Sequence, residues 1–174
     1  MRLNRSKTRR QRYSEKINNA VFLPLELCTV NFQSDQNLGY LVRAAACFGA
    51  KKINVIGSIP SKKELNIFSG TLCDYVEIEG FKNPSKYLEY IENKGGYVIA
   101  AEISDSSEPI TGFDFSNCGN IHLVVGNESY GIPEEILLRS RQIHIPMPGI
   151  GFCLNTAQAA NVFLYEISKQ INQN

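Results

Sequence analysis

The chain has 174 residues, of which 43% are hydrophobic, 20% are charged and 10% are aromatic. This length suits a single domain and this composition can bury a core, which excludes a wholly disordered chain. The formal net charge is +1, and no apolar run approaches the roughly 18 residues of a membrane-spanning helix, which excludes a helical membrane protein.

The first predicted element is a basic tail. Residues 1–16 carry seven basic side chains and one glutamate, a net charge of +6, whereas the other residues carry 11 basic and 16 acidic side chains, a net charge of −5. Such a segment is typical of contact with RNA or DNA, because each neutralised phosphate releases counterions. The alternative is a tail that only improves solubility. We expect residues 1–18 to be flexible and residues 19–174 to form one domain.

After the tail, short apolar runs alternate with amphipathic segments. In chain order, the sequence predicts a strand at 27–32, a helix at 37–48, a strand at 53–56, a helix at 62–68 and a strand at 75–78. A helix at 84–94, strands at 97–101 and 122–125, a helix at 133–139, a strand at 143–145 and a helix at 154–171 follow. Apolar strands that alternate with helices predict an α/β fold, with a mostly parallel sheet covered by helices on both faces.

The five cysteines are widely spaced and form no C-x-x-C pair. This spacing favours neither a disulfide framework nor a zinc site, and we expect no metal. Free thiols fit a reducing cytoplasm, and the basic start is not followed by the apolar core of a secretory signal. The sequence therefore predicts a cytoplasmic protein.

Open α/β sheets bind ligands beyond the carboxyl ends of their strands, and three such ends are rich in Gly, Asn and other polar residues. In residues 34–45, Asn37 lies at a strand-to-helix turn, where its side chain can cap the helix. Arg43 follows among small apolar neighbours. Its side chain points either into a cleft or along the helix surface towards solvent, and the local sequence favours neither.

The second and third segments are residues 124–133 and 145–158. Gly126 permits close approach of a ligand to the backbone, and Glu128 either binds in the site or caps the following helix. Asn155 can cap the last helix. No complete dinucleotide or phosphate-loop motif is present, and we interpret His122 and His144 as structural.

Together the three segments resemble the motifs of the SpoU family of the SPOUT superfamily, a family of RNA ribose 2′-O-methyltransferases. The first motif corresponds to Asn37-Leu38-Gly39, Arg43-Ala44-Ala45 and Phe48-Gly49. The second corresponds to Leu123 to Gly131, and the third to Ile145-Pro146-Met147, Cys153-Leu154-Asn155 and the helix from Ala157 to Glu166. In this order and spacing the motifs span about residues 26–170.

The resemblance implies a deep trefoil knot at the C-terminal end of the fold, a knot that binds S-adenosylmethionine, and a homodimer. It implies cofactor contacts at Ala101, Gly126, Ile145, Met147 and Leu154. It places the functional side chains of the family at Asn37, Arg43, Glu128 and Asn155.

The resemblance also implies a role for Arg43 in methyl transfer to a ribose 2′-hydroxyl of tRNA or rRNA. An arginine is proposed as the base in this family, but a pKa above ~12 makes a neutral guanidine costly, and binding the neighbouring phosphate is the easier role. Glu128 and Asn155 would hold Arg43 and the loops in place. We expect further phosphate contacts from the tail, at Arg5, Arg9, Arg10 and Arg12.

One departure from the family pattern is Cys153, which stands where many relatives have serine. A thiol is a poorer hydrogen-bond partner than a hydroxyl. The main alternative is therefore a non-catalytic RNA-binding protein that retains the knotted fold. A base methyltransferase fits less well, because the pair Asn37 and Arg43 marks the ribose-modifying branch, and an oxidoreductase lacks its nucleotide motif.

Overall fold

The computed structural model of the protein describes residues 6–172. Its helices are α1 (Arg9–Ile17), α2 (Asp35–Phe48), α3 (Lys62–Ser69), α4 (Pro84–Lys94), α5 (Glu134–Leu137) and α6 (Thr156–Ile171). Its strands are β1 (Leu25–Val30), β2 (Lys52–Ile56), β3 (Glu77–Phe81), β4 (Tyr97–Ala101), β5 (Glu108–Pro109), β6 (Ile121–Val125) and β7 (Arg141–His144). The predicted α/β class is confirmed.

All strand pairs of the sheet are parallel, in the order β3-β2-β1-β6-β4-β7-β5. The chain proceeds outward from β1 to β3 and then crosses to the other side of β1. The later strand β6 lies between β1 and β4, so the order in which strands are added to the sheet reverses there. Such a switch point leaves a crevice beyond the carboxyl ends of the strands.

Helices cover both faces of the sheet, as the apolar strands predicted. On one face α2, α3 and α6 pack over strand residues that include Leu27 and Leu123. On the other face α4 and α5 pack over residues that include Cys28 and Val124. Because side chains alternate along a strand, neighbouring residues of β1 and β6 serve the two cores. The described residues contain no helix that is both long and apolar enough to cross a membrane.

Part of the predicted tail forms the helix α1. Thr8 and Gln11 form a capping box at the start of α1, and Tyr13 anchors the helix. The Tyr13 hydroxyl donates a hydrogen bond of 3.3 Å to the Gly70 carbonyl, and its ring meets the edge of Tyr75 at 5.7 Å. No residue of α1 is buried, so helical capping and one aromatic anchor, rather than an apolar face, hold it.

The bounds of some elements differ from the prediction because buried apolar residues do not always lie within a strand. The strand predicted at 75–78 is β3 (Glu77–Phe81), because Val76 is buried just ahead of an edge strand that is itself partly exposed. The short strand β5 and two 3-10 turns, Leu72–Asp74 and Ile110–Gly112, were not predicted. Gly49 ends α2 in the left-handed conformation, which glycine adopts readily.

Candidate active site

A cleft of about 430 Å³ lies beyond the carboxyl ends of β4, β6 and β7. We call it the strand-end cleft. Ala101 is level with Val125 and Ile143 in the sheet, so the segments that follow these strands meet at one edge. The predicted cofactor residues all line this cleft: Ala101, Gly126, Ile145, Met147 and Leu154.

The loop after β6 folds back tightly on itself. Asn127 and Gly131 exchange backbone hydrogen bonds of 2.9 and 3.1 Å. A Cβ atom on Gly126 would lie 2.5 Å from the carbonyl carbon of Gly131, so only glycine fits there. The loop's own backbone thus requires glycine at this position, and the cleft wall depends on that packing; the approach of a ligand to Gly126 stays a prediction.

A chain of side-chain hydrogen bonds links the three sequence motifs. The Asn155 amide donates to the Asn37 side-chain oxygen over 3.0 Å, and the Asn37 amide donates to Glu128 over 2.6 Å. Glu128 also accepts the backbone N–H of Gln33 at 2.9 Å and of Ser34 at 3.4 Å. We call Asn155, Asn37 and Glu128 the carboxyl-end chain.

The helix-capping predictions have mixed outcomes. The Asn155 side-chain oxygen caps α6, accepting the N–H groups of Ala157 and Gln158. The cap predicted for Asn37 is wrong: Ser34 is the N-cap of α2, and the Asn37 side chain turns to Glu128. Glu128 does not cap α5, whose N-cap is Pro133; it binds the residues that precede α2 instead.

Two opposing influences act on the Glu128 carboxyl. Partial desolvation acts to raise its pKa, but the hydrogen bonds from Gln33, Asn37 and Ser34 outweigh that effect and hold the pKa below its ordinary value. Hydrogen bonds to the charged form have this effect in general. Glu128 is therefore a carboxylate at neutral pH.

Arg43 lies on α2 beside a second cleft of about 520 Å³, the helix cleft, which α2 and α6 form. Asn37, Tyr40, Asn155 and Gln158 also line it. The Arg43 side chain is exposed and lies against Gly70, where a Cβ atom would be 2.5 Å from Nη2. Within residues 6–172 its guanidinium forms no hydrogen bond or ion pair, so neither Glu128 nor Asn155 holds it directly.

Asn155 lines both clefts, whereas the predicted cofactor residues line only the first and Arg43 only the second. The predicted residues therefore form two groups that meet at Asn155. Of the predicted RNA contacts, Arg9, Arg10 and Arg12 lie on α1, the helix that Tyr13 fixes to Gly70 beside Arg43. Arg5 lies outside the described residues.

Sequence reasoning missed several residues that shape the site. Asn127 is buried and its side-chain oxygen accepts the Ser129 N–H, while its amide donates to the Asn31 carbonyl. Thr156 donates its hydroxyl to the Gly126 carbonyl over 3.1 Å. Glu102 accepts the Ile132 N–H over 3.2 Å. The polar position after each apolar strand was the available signal, but no residue pattern identifies such partners.

Within residues 6–172, two carboxylates line the strand-end cleft, those of Glu102 and Glu128, and no lysine or arginine lines it. The cleft is therefore suited to a cationic ligand. His144 also lines it, with Nδ1 2.9 Å from the Ser107 hydroxyl. His122 is buried far from the cleft, beside Tyr87 and Glu26, which agrees with a structural role.

Cys153, the departure from the family pattern, is an exposed free thiol at the strand-end cleft. In the described chain its side chain forms no hydrogen bond. Residues 149–155 are all exposed around it, including Ile150 and Phe152. The thiol is thus not part of the carboxyl-end chain, which forms without it.

Comparisons with known proteins agree with the motifs. The model of the SpoU rRNA Methylase family matches residues 24–165. The chain is 29% identical over 143 residues to the tRNA (guanosine(18)-2′-O)-methyltransferase of Aquifex aeolicus, covering 80% of this chain and 66% of that relative. The chain thus spans slightly less than two thirds of the relative's length.

Solved structures share the fold. The crystal structure of the A. aeolicus TrmH/SpoU tRNA modifying enzyme superposes with a TM-score of 0.82 at 25% identity, covering 94% of this chain and 83% of that one. The SpoU methyltransferase of Streptomyces viridochromogenes in complex with the cofactor AdoMet gives a TM-score of 0.77 at 22% identity, covering 88% and 62%. The second likeness concerns the fold alone.

Proposed function

The chain belongs to the SpoU rRNA Methylase family, and from that premise we propose that it transfers a methyl group from S-adenosylmethionine to a ribose 2′-hydroxyl of tRNA or rRNA. One observation carries the proposal. The residues predicted to bind the cofactor line one cleft, Arg43 lines another, and Asn155 lines both. Such a pair of clefts can bring a methyl donor and an RNA together.

The strand-end cleft fits S-adenosylmethionine in size and chemistry. Its volume of about 430 Å³ is in the usual range for cofactor sites, and apolar side chains such as Ile145, Leu154 and Phe163 can pack on an adenine ring. Glu102 and Glu128 suit the positive charge of the sulfonium. When bound, the cofactor supplies an electrophilic methyl group.

Arg43 is the residue that we assign to the RNA. Its guanidinium is exposed, unpaired within the described chain and planar, so it can hold a phosphate beside the ribose through two parallel hydrogen bonds. Positioning of this kind can lower the activation barrier of the transfer by several kcal/mol, about 7 in favourable cases. Asn37 and Asn155 keep α2 and α6 in register around that phosphate.

The proposal favours catalysis over a non-catalytic RNA-binding protein. The relatives named above are methyltransferases, and the thiol of Cys153 replaces no member of the carboxyl-end chain. The non-catalytic alternative predicts cofactor binding without transfer, which the first experiment below would reveal.

The test is methyl transfer from labelled S-adenosylmethionine to total RNA from a strain that lacks the gene. We expect label in a ribose-methylated nucleoside after digestion, which also identifies the base. For Arg43→Ala we expect transfer to fall by at least about 100-fold while cofactor binding, measured by calorimetry, stays near normal, because the change removes a positioning contact.

Arg139→Ala is the matched control, since Arg139 is also exposed but pairs with Glu92 away from both clefts. Label on a base would refute the ribose assignment. Near-normal turnover of the Arg43→Ala protein would remove Arg43 from the reaction.

Four further predictions stay proposals: the knot, the homodimer, the phosphate contacts of the tail and the cytoplasmic location. The knot is supported by the placement of β6 between β1 and β4. The homodimer is supported by the exposed apolar side chains of Val162 and Tyr165 on α6. Phosphate contact by Arg9, Arg10 and Arg12 is supported by their position on α1 near Arg43. A cytoplasmic location is supported by the five free thiols.

A further inference from the structure

A third cavity lies between α1 and the end of α2, outside the strand-end cleft. This cavity, the aromatic pocket, has a volume of about 370 Å³ and is lined by the rings of Tyr13, Phe22, Phe48 and Tyr75. Tyr13 and Tyr75 touch edge to face, whereas Phe22 is 47% exposed. Nearly half of the Phe22 surface is therefore open to a ligand.

The aromatic pocket has positively charged and neutral polar groups. Lys16, Arg43, Asn19, Asn172 and Ser168 line it, and within residues 6–172 no carboxylate does. In the described part of the chain, the side chains of Lys16 and Arg43 form no ion pair. Aromatic rings can stack on bases, amides can meet base edges and cations can neutralise phosphates, so this composition suits a nucleotide.

The aromatic pocket is continuous with the helix cleft. Arg43, Cys47 and Phe48 line both cavities. An RNA strand whose phosphate lies on Arg43 therefore has one neighbouring nucleotide in the helix cleft and another at the aromatic pocket. The anchored helix α1, which sequence reasoning treated as a flexible tail, forms one wall of the pocket.

We propose that the aromatic pocket binds an unpaired nucleobase of the substrate RNA, adjacent to the nucleotide whose ribose is methylated. The proposal rests on the proposed function, because it uses Arg43 as the shared phosphate contact. It assigns α1 and Phe22 a role beyond general attraction of polyanions: they select single-stranded over paired RNA. A paired base cannot leave its stack to enter the pocket without a cost in free energy.

A second copy of this chain is the competing occupant. Phe48 contacts Tyr165 on the exposed face of α6, with ring centroids 6.4 Å apart, so a dimer surface could extend towards the pocket. The observations favour RNA, because both unpaired cations of the pocket adjoin a basic helix with exposed Arg9 and Arg10. Clustered cations of this kind favour phosphate.

The test compares RNA binding by the full-length wild type, Phe22→Ala, Phe22→Trp and Tyr97→Ala. Tyr97 is an exposed aromatic residue at the amino end of β4 and serves as the matched control. The probes are a fluorescent single-stranded oligouridylate and a duplex of the same length, followed by anisotropy. For Phe22→Ala we expect single-strand binding to weaken about five- to tenfold, at the low end for stacking on one side chain. We expect little change for the duplex.

Phe22→Trp should retain single-strand binding, and Tyr97→Ala should match the wild type. Unchanged single-strand affinity of the Phe22→Ala protein overturns the proposal, as does equal weakening for the duplex. A Phe22→Ala protein that changes from dimer to monomer in sedimentation would assign the pocket to a second copy. A wild type that binds neither probe and transfers no methyl group would contradict the proposed function itself.

Discussion

The two ends of the sheet carry polar clusters built from similar residues but arranged differently. At the carboxyl ends, Glu128 accepts hydrogen bonds from Asn37 and from backbone groups, and its neighbours face two open clefts. Near the amino ends, Glu26 is only 14% exposed. It accepts from Asn54 at 2.8 Å, from Tyr90 at 2.9 Å and from Lys94 at 3.2 Å. We call the second group, with His122 and Lys52, the amino-end cluster.

The difference separates binding from stability. In the amino-end cluster, partners from β2, β6 and α4 satisfy the charge of Glu26 on β1 within the fold, and Tyr90 packs under both Lys52 and Lys94. The carboxyl-end chain instead ends beside Arg43 and Cys153, whose side chains form no hydrogen bond or ion pair within the described residues. Unsatisfied polar groups at a cleft are free for a ligand, whereas a satisfied buried cluster fixes strand and helix positions.

Glu128→Gln should give the largest contrast between a loss of activity and a loss of stability. The change removes the charge that holds Asn37 and the start of α2, so we expect kcat to fall about 100-fold through misplacement of α2. The free energy of unfolding should change by only about 1 kcal/mol, because Glu128 lies at an open edge. Kinetics and urea unfolding of the same preparation measure both effects.

Glu134→Gln is the control for Glu128→Gln, because Glu134 is an exposed carboxylate six residues further along the chain. A Glu128→Gln enzyme with normal kcat would show that the carboxyl-end chain does not support the reaction.

Glu26→Gln should show the opposite pattern. Glutamine keeps one acceptor oxygen but removes the charge and turns the other oxygen into an NH2 donor. Lys94, Tyr90 and Asn54 then compete for one acceptor, and we expect a destabilisation of about 1–3 kcal/mol. Methyl transfer per folded molecule should stay near the wild-type value. Urea unfolding gives the first quantity, and transfer at a temperature well below the transition gives the second. A large loss of kcat with unchanged stability would mean that the two ends of the sheet are not independent.

A smaller difference between the amino-end cluster and the carboxyl-end chain should appear in the pH dependence of the free energy of unfolding. Burial lowers the pKa of His122 below its ordinary value of 6.5; Glu26 opposes this effect, whereas Lys94 and Lys52 add to it. The unfolded chain therefore binds a proton below about pH 6.5 that the folded chain resists, and stability falls as the pH drops through that range. Glu128 and Glu26, whose pKa values are both lowered, contribute stability above pH 4.5 that is lost only at still lower pH, so the decline near pH 6.5 is the one that belongs to the amino-end cluster alone.

The measurement is the free energy of unfolding as a function of pH, for the wild type and His122→Gln. The variant should lose the decline that begins near pH 6.5 and keep the one below pH 4.5. An identical decline near pH 6.5 in both proteins would assign it to another group.

The sequence predicted the parts of this molecule that follow from local pattern. The helix Pro84–Lys94 and the strand Tyr97–Ala101 have the predicted bounds, since a proline start, glycine stops and an apolar run define them. The helix α1 was not predicted: the capping box of Thr8 and Gln11 was a local signal that the charge of the segment obscured, and the contact of Tyr13 with Gly70 joins residues 57 positions apart. No local pattern encodes such a contact.

The site was predictable to a similar degree. Motif order identified the residues that line the strand-end cleft, but not the partners of their side chains. Asn37 looked like a helix cap because it stands near a helix start, and only the fold brings it 2.6 Å from Glu128, 91 residues later. Glu102 and Thr156 support the cleft through hydrogen bonds to backbone groups, and many polar side chains could form such bonds.

The carboxyl-end chain also bears on whether the helix cleft can open. The N-terminal turn of α6 donates to Asn155, and the residues that begin α2 donate to Glu128, so both walls of the cleft are fixed at the same end. At the far end, the ring of Phe48 on α2 contacts the ring of Tyr165 on α6. Buried residues along α2 and α6 also share one core, so we expect the cleft to keep its width when a strand binds. An incoming strand would then lie in a preformed cleft that begins beside the aromatic pocket and ends at Asn155.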